Sequence, residues 1–221
     1  MAVERHTQAE IDMIHGLLSK LGIKKGWLVD VGANDGIFQS NTLELTQAGW
    51  DSVLIEADPE KFAQLKKNMA RFARVRLVNE KIIINLDEVL RQQAVPLEFD
   101  LLQIDIDGLE YWVWLTSAEF KPKIVSVEYN SNFEPWEFKT IYYEPEFKWS
   151  GDSYYGASAA ALAHLGKTKG YTLVGYTSWS NLYFVRSDLL GDIQPLDIMD
   201  VPKEPIHPPT TYEFLELKRP S

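Results

Sequence analysis

Apolar side chains at Ile11, Ile14, Leu17, Leu18 and Leu21 recur at helical spacing, and Gly22 follows where a helix stops, so the pattern predicts a helix over 9–21. The period then changes. Trp27, Leu28, Val29, Asp30 and Val31 form a short apolar run with one acid, a buried strand, and positions 32–36 carry the composition of a tight turn. Asn41 with Glu44 has the spacing of a helix-starting capping pair, and that helix should end before Gly49. The unit repeats at once: 52–56 is a strand, and Asp58-Pro59 supplies a cap and a first-turn proline for a helix carrying Phe62, Leu65 and Met69. A third strand is expected at 75–78 and a short helix, capped by Asn85 with Glu88, through Leu90. A strand at 99–106, a helix at 108–115 and a strand at 123–128 follow.

Strands apolar on both faces and alternating with helices imply a parallel sheet covered on both sides, an α/β fold of the Rossmann-like kind. An alanine-rich helix is expected at 157–169. After it, 171–176 and 182–186 lie close enough to pair as an antiparallel hairpin, so the sheet should end in an antiparallel edge. No internal repeat is visible. The segment 129–155 holds ten aromatic residues interleaved with acids, too long for an ordinary connection. Six of the eleven prolines lie from Pro195 onward, which predicts an extended tail over 195–221, wrapped on the surface or partly mobile, beside a single domain over 1–194.

Composition narrows the function. At 221 residues the chain is long enough for one full-sized core. A formal charge of −10 and no basic run disfavour a nucleic-acid partner, whose affinity rests on neutralising phosphates. The absence of cysteine excludes disulfides and thiolate metal sites, and fits a cytoplasmic protein. The polar start and the lack of an apolar run of spanning length give no sign of secretion or a membrane.

In an open parallel sheet, ligands bind beyond the carboxyl ends of the strands where strand order reverses. The residues there are acidic: Asp30 and Asp35, Glu56 and Asp58, Asp105 and Asp107, and Glu128. A glycine turn with an acid some twenty residues on is common to many nucleotide folds. The dinucleotide fingerprint, however, needs glycines where this chain has Asn34 and Ile37, and a pyrophosphate would meet acids with no basic residue expected nearby. S-adenosylmethionine (SAM) makes the opposite demand, since it carries a sulfonium and an ammonium against one carboxylate. An ion pair at about 4 Å in an effective dielectric near 20 gains roughly 4 kcal/mol before desolvation. The expected cofactor set is therefore Asp30, Gly32, Asn34, Gly36, Asn41, Glu56, Ala57, Asp58 and Asp105. Glu56 is placed for the ribose hydroxyls, Ala57 and Asp58 for the adenine, and Asp30 or Asp105 for the ammonium. Taken singly, Asp35 and Asp58 are equally well read as helix or turn caps.

The motifs at 29–36 (Val-Asp-Val-Gly-Ala-Asn-Asp-Gly), 40–42 (Ser-Asn-Thr), 49–50 (Gly-Trp) and 54–59 (Leu-Ile-Glu-Ala-Asp-Pro) resemble the FkbM-type branch of class I SAM-dependent methyltransferases. The run at 103–110 (Gln-Ile-Asp-Ile-Asp-Gly-Leu-Glu) is similar to that family's I-D-x-E-G-x-E segment. The resemblance covers roughly 27–128. It implies a mostly parallel seven-stranded sheet with an antiparallel last strand, and methylation of a hydroxyl on a sugar, polyketide or other small acceptor. Asp107 stands where the family usually has glutamate, and 129–155 matches no part of it.

Methyl transfer is an in-line displacement in which alignment alone supplies roughly 7–11 kcal/mol. Asp105, Asp107 and Glu128 sit where the fourth and fifth strands end and are the candidates for a base, although Asp107 is equally placed to cap the next helix. Those acids with Asn130 also make an oxygen set that suits Mg²⁺, but no metal is assigned. Asn130, Trp136, Tyr142 and Tyr154 are the expected acceptor contacts, from a 129–155 segment read as a lid; the competing readings are a second small core or a contact in a homo-oligomer. His164 is read as a packing residue, and His6, His15 and His207 carry no signal. The rival functions are a SAM-binding module without catalysis, acting on a protein partner, and an NAD-dependent oxidoreductase.

Overall fold

The computed structural model describes residues 2–218. The elements run in the order α1 (Ala2–Lys20), β1 (Trp27–Val31), α2 (Leu43–Gln47), β2 (Asp51–Ile55), α3 (Pro59–Met69), β3 (Val75–Val78) and α4 (Leu86–Gln92). There follow β4 (Leu101–Ile104), α5 (Glu110–Thr116), β5 (Ile124–Glu128), β6 (Lys139–Thr140), α6 (Ala159–Thr168), β7 (Tyr171–Tyr176), β8 (Asn181–Arg186) and β9 (Leu215–Glu216). Seven strands form one sheet in the order β3-β2-β1-β4-β5-β8-β7, and β1, β2, β3, β4 and β5 are mutually parallel. The hairpin of β7 and β8 closes the sheet, with β8 slotted antiparallel against β5 and β7 at the edge. This is the Rossmann-like sheet of class I methyltransferases, as the sequence led us to expect.

Side-chain alternation along the strands sorts the core into two layers. Leu28, Leu54, Leu101, Ile124 and Val185 face α1, α2 and α3, where Ile14, Leu17, Leu18, Leu45 and Leu65 pack on them. Val29, Val53, Leu102, Val125 and Phe184 face α4, α5 and α6, meeting Leu90, Val113, Trp114 and Leu162. Central strands covered on both faces explain why their sequences are near-continuous apolar runs.

Several local expectations are corrected. The capping pair of Asn41 and Glu44 does not form: the N-cap of α2 is Thr42, without a side-chain cap bond, and the Thr42 hydroxyl goes to Asp30 instead. Asp107 does not cap α5, whose N-cap is Leu109. Asn85 is the N-cap of α4, but its side-chain oxygen accepts from Ile83 N at 3.0 Å and makes no cap bond. By contrast, Asp58 caps α3, accepting from the amides of Glu60 and Lys61, with Pro59 in the first turn.

The segment after β5 and the chain's end are built together. Strand β6 pairs antiparallel with β9, so the C-terminal stretch is tied to the insertion by a two-stranded sheet. Ser153 N donates to Pro208 O, Thr210 N to Ser153 Oγ, and Glu204 N to Ser131 O. Rings of the insertion stack on the tail: Trp149 lies 4.7 Å from His207, and Tyr154 lies 5.0 Å from both Tyr212 and Phe214. Tyr129, Phe138, Ile141 and Tyr155 are buried, and Tyr129 and Phe138 join the core layer that faces α4, α5 and α6. His164 packs edge-on against Phe138, a packing role as expected.

Candidate functional site

The order in which strands are added to the sheet reverses between the parallel neighbours β1, whose crossover leads to β2 on one side, and β4, whose crossover leads to β5 on the other. The carboxyl ends of these neighbouring strands open onto a cavity of about 270 Å³. Its wall contains Asp30, Gly32, Asn34, Asn41, Glu56, Ala57, Asp105 and Asp107 together with Gln103, Lys61, Lys81, Glu80 and Phe147.

Gly32 is the position on which this closeness depends. Its φ is +98°, and a Cβ there would sit inside the backbone carbonyl oxygen of Asp105. Only glycine permits the turn after β1 to touch the end of β4 backbone to backbone. The turn is also tied sideways: Gly32 N and Ala33 N both donate to Ile55 O at 3.0 Å. Asn34 takes a left-handed conformation, φ 51°, and its amide points at Glu56. Gly36 faces away from the cavity, toward Leu65 and Met69 of α3, and Asp35 accepts from the amides of Ile37 and Phe38 as a turn-forming residue.

Glu56, at the end of β2, is buried and clamps the two loops: Oε2 accepts from Asn34 N at 2.8 Å and Oε1 from Asp58 N at 2.7 Å. A carboxylate has about four acceptor sites, so lone pairs remain for a ligand. Asp30 and Gln103 are register partners on β1 and β4 and share one face of the sheet. Burial drives Asp30 up to a pKa of about 6, against the lowering effect of the Thr42 hydroxyl, which donates to Oδ2 at 2.6 Å.

Beyond β4 the acids crowd. Burial raises the Asp105 carboxyl well above the usual range, and Asp107 adds to it. Asp107, exposed and held at φ 57°, is raised by desolvation and partly offset by Lys61 and His207. Burial also lifts Glu128 well above its usual value, with Asp105 and Glu110 contributing. Glu110, fully buried at the start of α5, accepts from the amides of Ile106 at 3.0 Å and Gly108 at 2.7 Å, and burial still holds it at about 7.

Of the expected cofactor residues, Asp30, Gly32, Asn34, Asn41, Glu56, Ala57 and Asp105 line the cavity, whereas Gly36 and Asp58 lie behind the wall as structural supports. Glu128 stands beside Asp105 and Asp107, each offering an oxygen within 4.8 Å of the others'. Asn130 is spent on its own loop, donating to Ser153 O at 2.9 Å and Tyr155 O at 2.7 Å. Trp136 and Tyr142 are about half exposed, Tyr154 sits in the aromatic stack, and the wall residue from this segment is Phe147. Its ring fits over Gly108, where a Cβ would meet Phe147 Cδ1 at 2.6 Å.

Gln103 and Glu110 stood in the matched run at 103–110 without a role, and sequence reasoning missed Lys61, Lys81 and Phe147 as wall residues. Glu110 left a signal, an acid on a helix face otherwise formed by Leu109, Val113 and Trp114. The lysines correct the expectation of a site without basic residues: Lys61 reaches the wall from α3, and Lys81, which donates to Pro145 O, from the loop after β3. Carboxylates still outnumber ammonium groups there, five to two.

Solved structures share this fold. The chain matches the N-terminal domain of EvdMO1, crystallised in the presence of SAH and D-fucose, with a TM-score of 0.51 at 13% identity, covering 80% of this chain and 82% of that one. A SAM-dependent methyltransferase from Aquifex aeolicus matches with a TM-score of 0.50 at 11% identity, covering 81% and 93%. TehB from Haemophilus influenzae matches with a TM-score of 0.50 at 9% identity, covering 78% and 61%. No family model matches the sequence, and no curated protein matches it. Fold and strand order thus define a protein built on the class I methyltransferase framework. No helix among the described residues is long and apolar enough to cross a membrane.

Proposed function

We propose that the chain is a SAM-dependent methyltransferase of FkbM-like type that methylates an oxygen of a small molecule or glycan. The observation that carries this reading is the acidic cavity at the switch between β1 and β4, where Asp30, Glu56, Asp105 and Asp107 stand around a tight glycine turn whose own amides hold it to β2 and Glu56. A sulfonium and an ammonium are stabilised by such a wall, and the ribose finds free lone pairs on Glu56. The glycine spacing remains unsuited to a dinucleotide, so the two lysines do not restore that rival.

In the reaction the acceptor oxygen gives an electron pair to the methyl carbon as the carbon–sulfur bond breaks and its pair stays on sulfur. SAH and the methyl ether result. The hydroxyl proton passes to one of Asp105, Asp107 or Glu128, the carboxylates grouped where β4 and β5 end. That EvdMO1 was crystallised with D-fucose supports a sugar among the first acceptors to try. The test is a panel of sugars, phenols and amines incubated with methyl-labelled SAM. Label on a hydroxyl acceptor supports the proposal, and SAH binding with no transfer to any acceptor favours a non-catalytic module.

A further inference from the structure

A relay of buried polar side chains runs from the first helix to the cavity. Glu10 of α1 is 4% exposed, Gln103 of β4 is 1% and Asn181 of β8 is fully buried. Glu10 Oε1 accepts from Asn181 Nδ2 at 2.6 Å and from the Ser180 hydroxyl. Asn181 Oδ1 accepts from Gln103 Nε2 at 3.4 Å, and Gln103 lines the cavity. Its other amide atom, Oε1, is buried with no partner.

The polarity of the relay is fixed at its far end. A carboxylate accepts and does not donate, so Asn181 turns its NH₂ group toward Glu10. Reversed, Asn181 Oδ1 would face Glu10 Oε1 at 2.6 Å, and the 2.9 Å bond from Nδ2 to Ser180 Oγ would be lost. The Asn181 oxygen is thereby committed to Gln103, which gives its NH₂ group in return. What remains on Gln103 is an acceptor, and a buried acceptor calls for a donor.

Its neighbour narrows the kind of donor. Asp30 is the register partner of Gln103, on the same face of the sheet, and lines the same cavity. Neighbouring strands lie about 4.8 Å apart, so a carboxylate and an amide oxygen stand side by side there. A hydroxyl has one proton to give to such a pair. A primary ammonium has three, and carries a positive charge.

We propose that Gln103 Oε1 accepts, beside Asp30, from the ammonium of the cofactor's amino acid part, and that Glu10 is a positioning residue that holds Gln103 in this orientation through Asn181. The assignment rests on the methyltransferase reading. It makes a residue of the first helix, outside the cavity wall, a determinant of which cofactor the site prefers.

The test is calorimetry of SAH, and of its analogue with hydrogen in place of the α-amino group, on wild type, Gln103→Met and Glu10→Met. Methionine matches both side chains in length and removes their polar atoms. Wild type should bind SAH about tenfold tighter than the analogue. That preference should shrink about fivefold in Gln103→Met and about threefold in Glu10→Met, while the analogue binds as it does to wild type. A merely structural role weakens both ligands in proportion and leaves the preference as it was. An unchanged preference in Gln103→Met overturns the ammonium contact, and one in Glu10→Met overturns the positioning role; where Gln103→Met does not fold, Glu10→Met decides alone. Equal binding of both ligands by wild type removes this contact and leaves the methyltransferase reading, whereas binding of neither removes both.

Discussion

Glu56→Gln isolates the contact on which the cavity's shape depends. The native carboxylate accepts from Asn34 N at 2.8 Å and Asp58 N at 2.7 Å, joining the turn after β1 to the start of α3. Each is a hydrogen bond to a charged acceptor, worth roughly 1.5–3 kcal/mol. Glutamine has the same shape but only one oxygen, so whichever way it turns, one backbone N–H faces an NH₂ group. One bond is lost and two buried donors confront each other, a net cost of about 2 kcal/mol. With a urea m-value of about 2 kcal/mol/M, the unfolding midpoint should fall by about 1 M. On the proposed function, the amide set loose at Asn34 belongs to the cofactor loop and the substitution also removes an acceptor for the ribose. The SAH dissociation constant measured by calorimetry should therefore rise at least tenfold, equivalent to about 1.4 kcal/mol. Asp58→Asn is the comparison, because asparagine caps a helix as well as aspartate and should leave both quantities nearly unchanged. A Glu56→Gln protein with the wild-type midpoint and wild-type SAH affinity would refute the clamp.

Gly32→Ala forces a methyl into the carbonyl of Asp105 at a positive φ, and should cost at least 2 kcal/mol by urea unfolding together with most SAH affinity; a wild-type midpoint would show that β1 and β4 do not approach as described. Asn130→Ala leaves the carbonyls of Ser153 and Tyr155 without their buried donor, so limited proteolysis should cut within 142–155 sooner than in wild type, and an unchanged pattern would deny Asn130 its holding role. Acidification should act in two directions. Asp30, raised to about 6, binds its proton more readily folded than unfolded, so the cofactor-free protein should gain stability as pH falls from about 7 to about 4, and a midpoint that fell over that range would contradict the burial. Cofactor affinity should weaken over the same range, by up to tenfold per pH unit below about 6 for one linked proton, because protonated Asp30 no longer attracts an ammonium; a flat profile in calorimetry would separate Asp30 from the ammonium.

The sheet was legible in the chain because central strands covered on both faces leave a plain mark, as at 27–31 and 101–104, and because the hairpin at 171–186 is short. The acids at strand ends were legible for the same reason: Asp30, Glu56 and Asp105 interrupt apolar runs that have no other cause to stop. Caps were less so. Asn41 and Glu44 have the spacing of a capping box, yet Thr42 is drawn to the buried Asp30, a tertiary contact that spacing cannot reveal. The ring partners of the aromatic segment were not legible, because they lie some sixty residues away on the C-terminal stretch. Lys61 and Lys81 lie on a helix and a loop whose rotation about the cavity is fixed by packing, so nothing local placed them on its wall.

The acidic cavity as the seat of a positively charged sulfur nucleoside is tested most directly by calorimetry of the wild-type protein with SAM, SAH and NAD⁺ under one set of conditions. Saturable one-to-one binding of SAM and SAH, with no heat from NAD⁺, is the predicted result. Binding of NAD⁺ with neither SAM nor SAH taken up would contradict it.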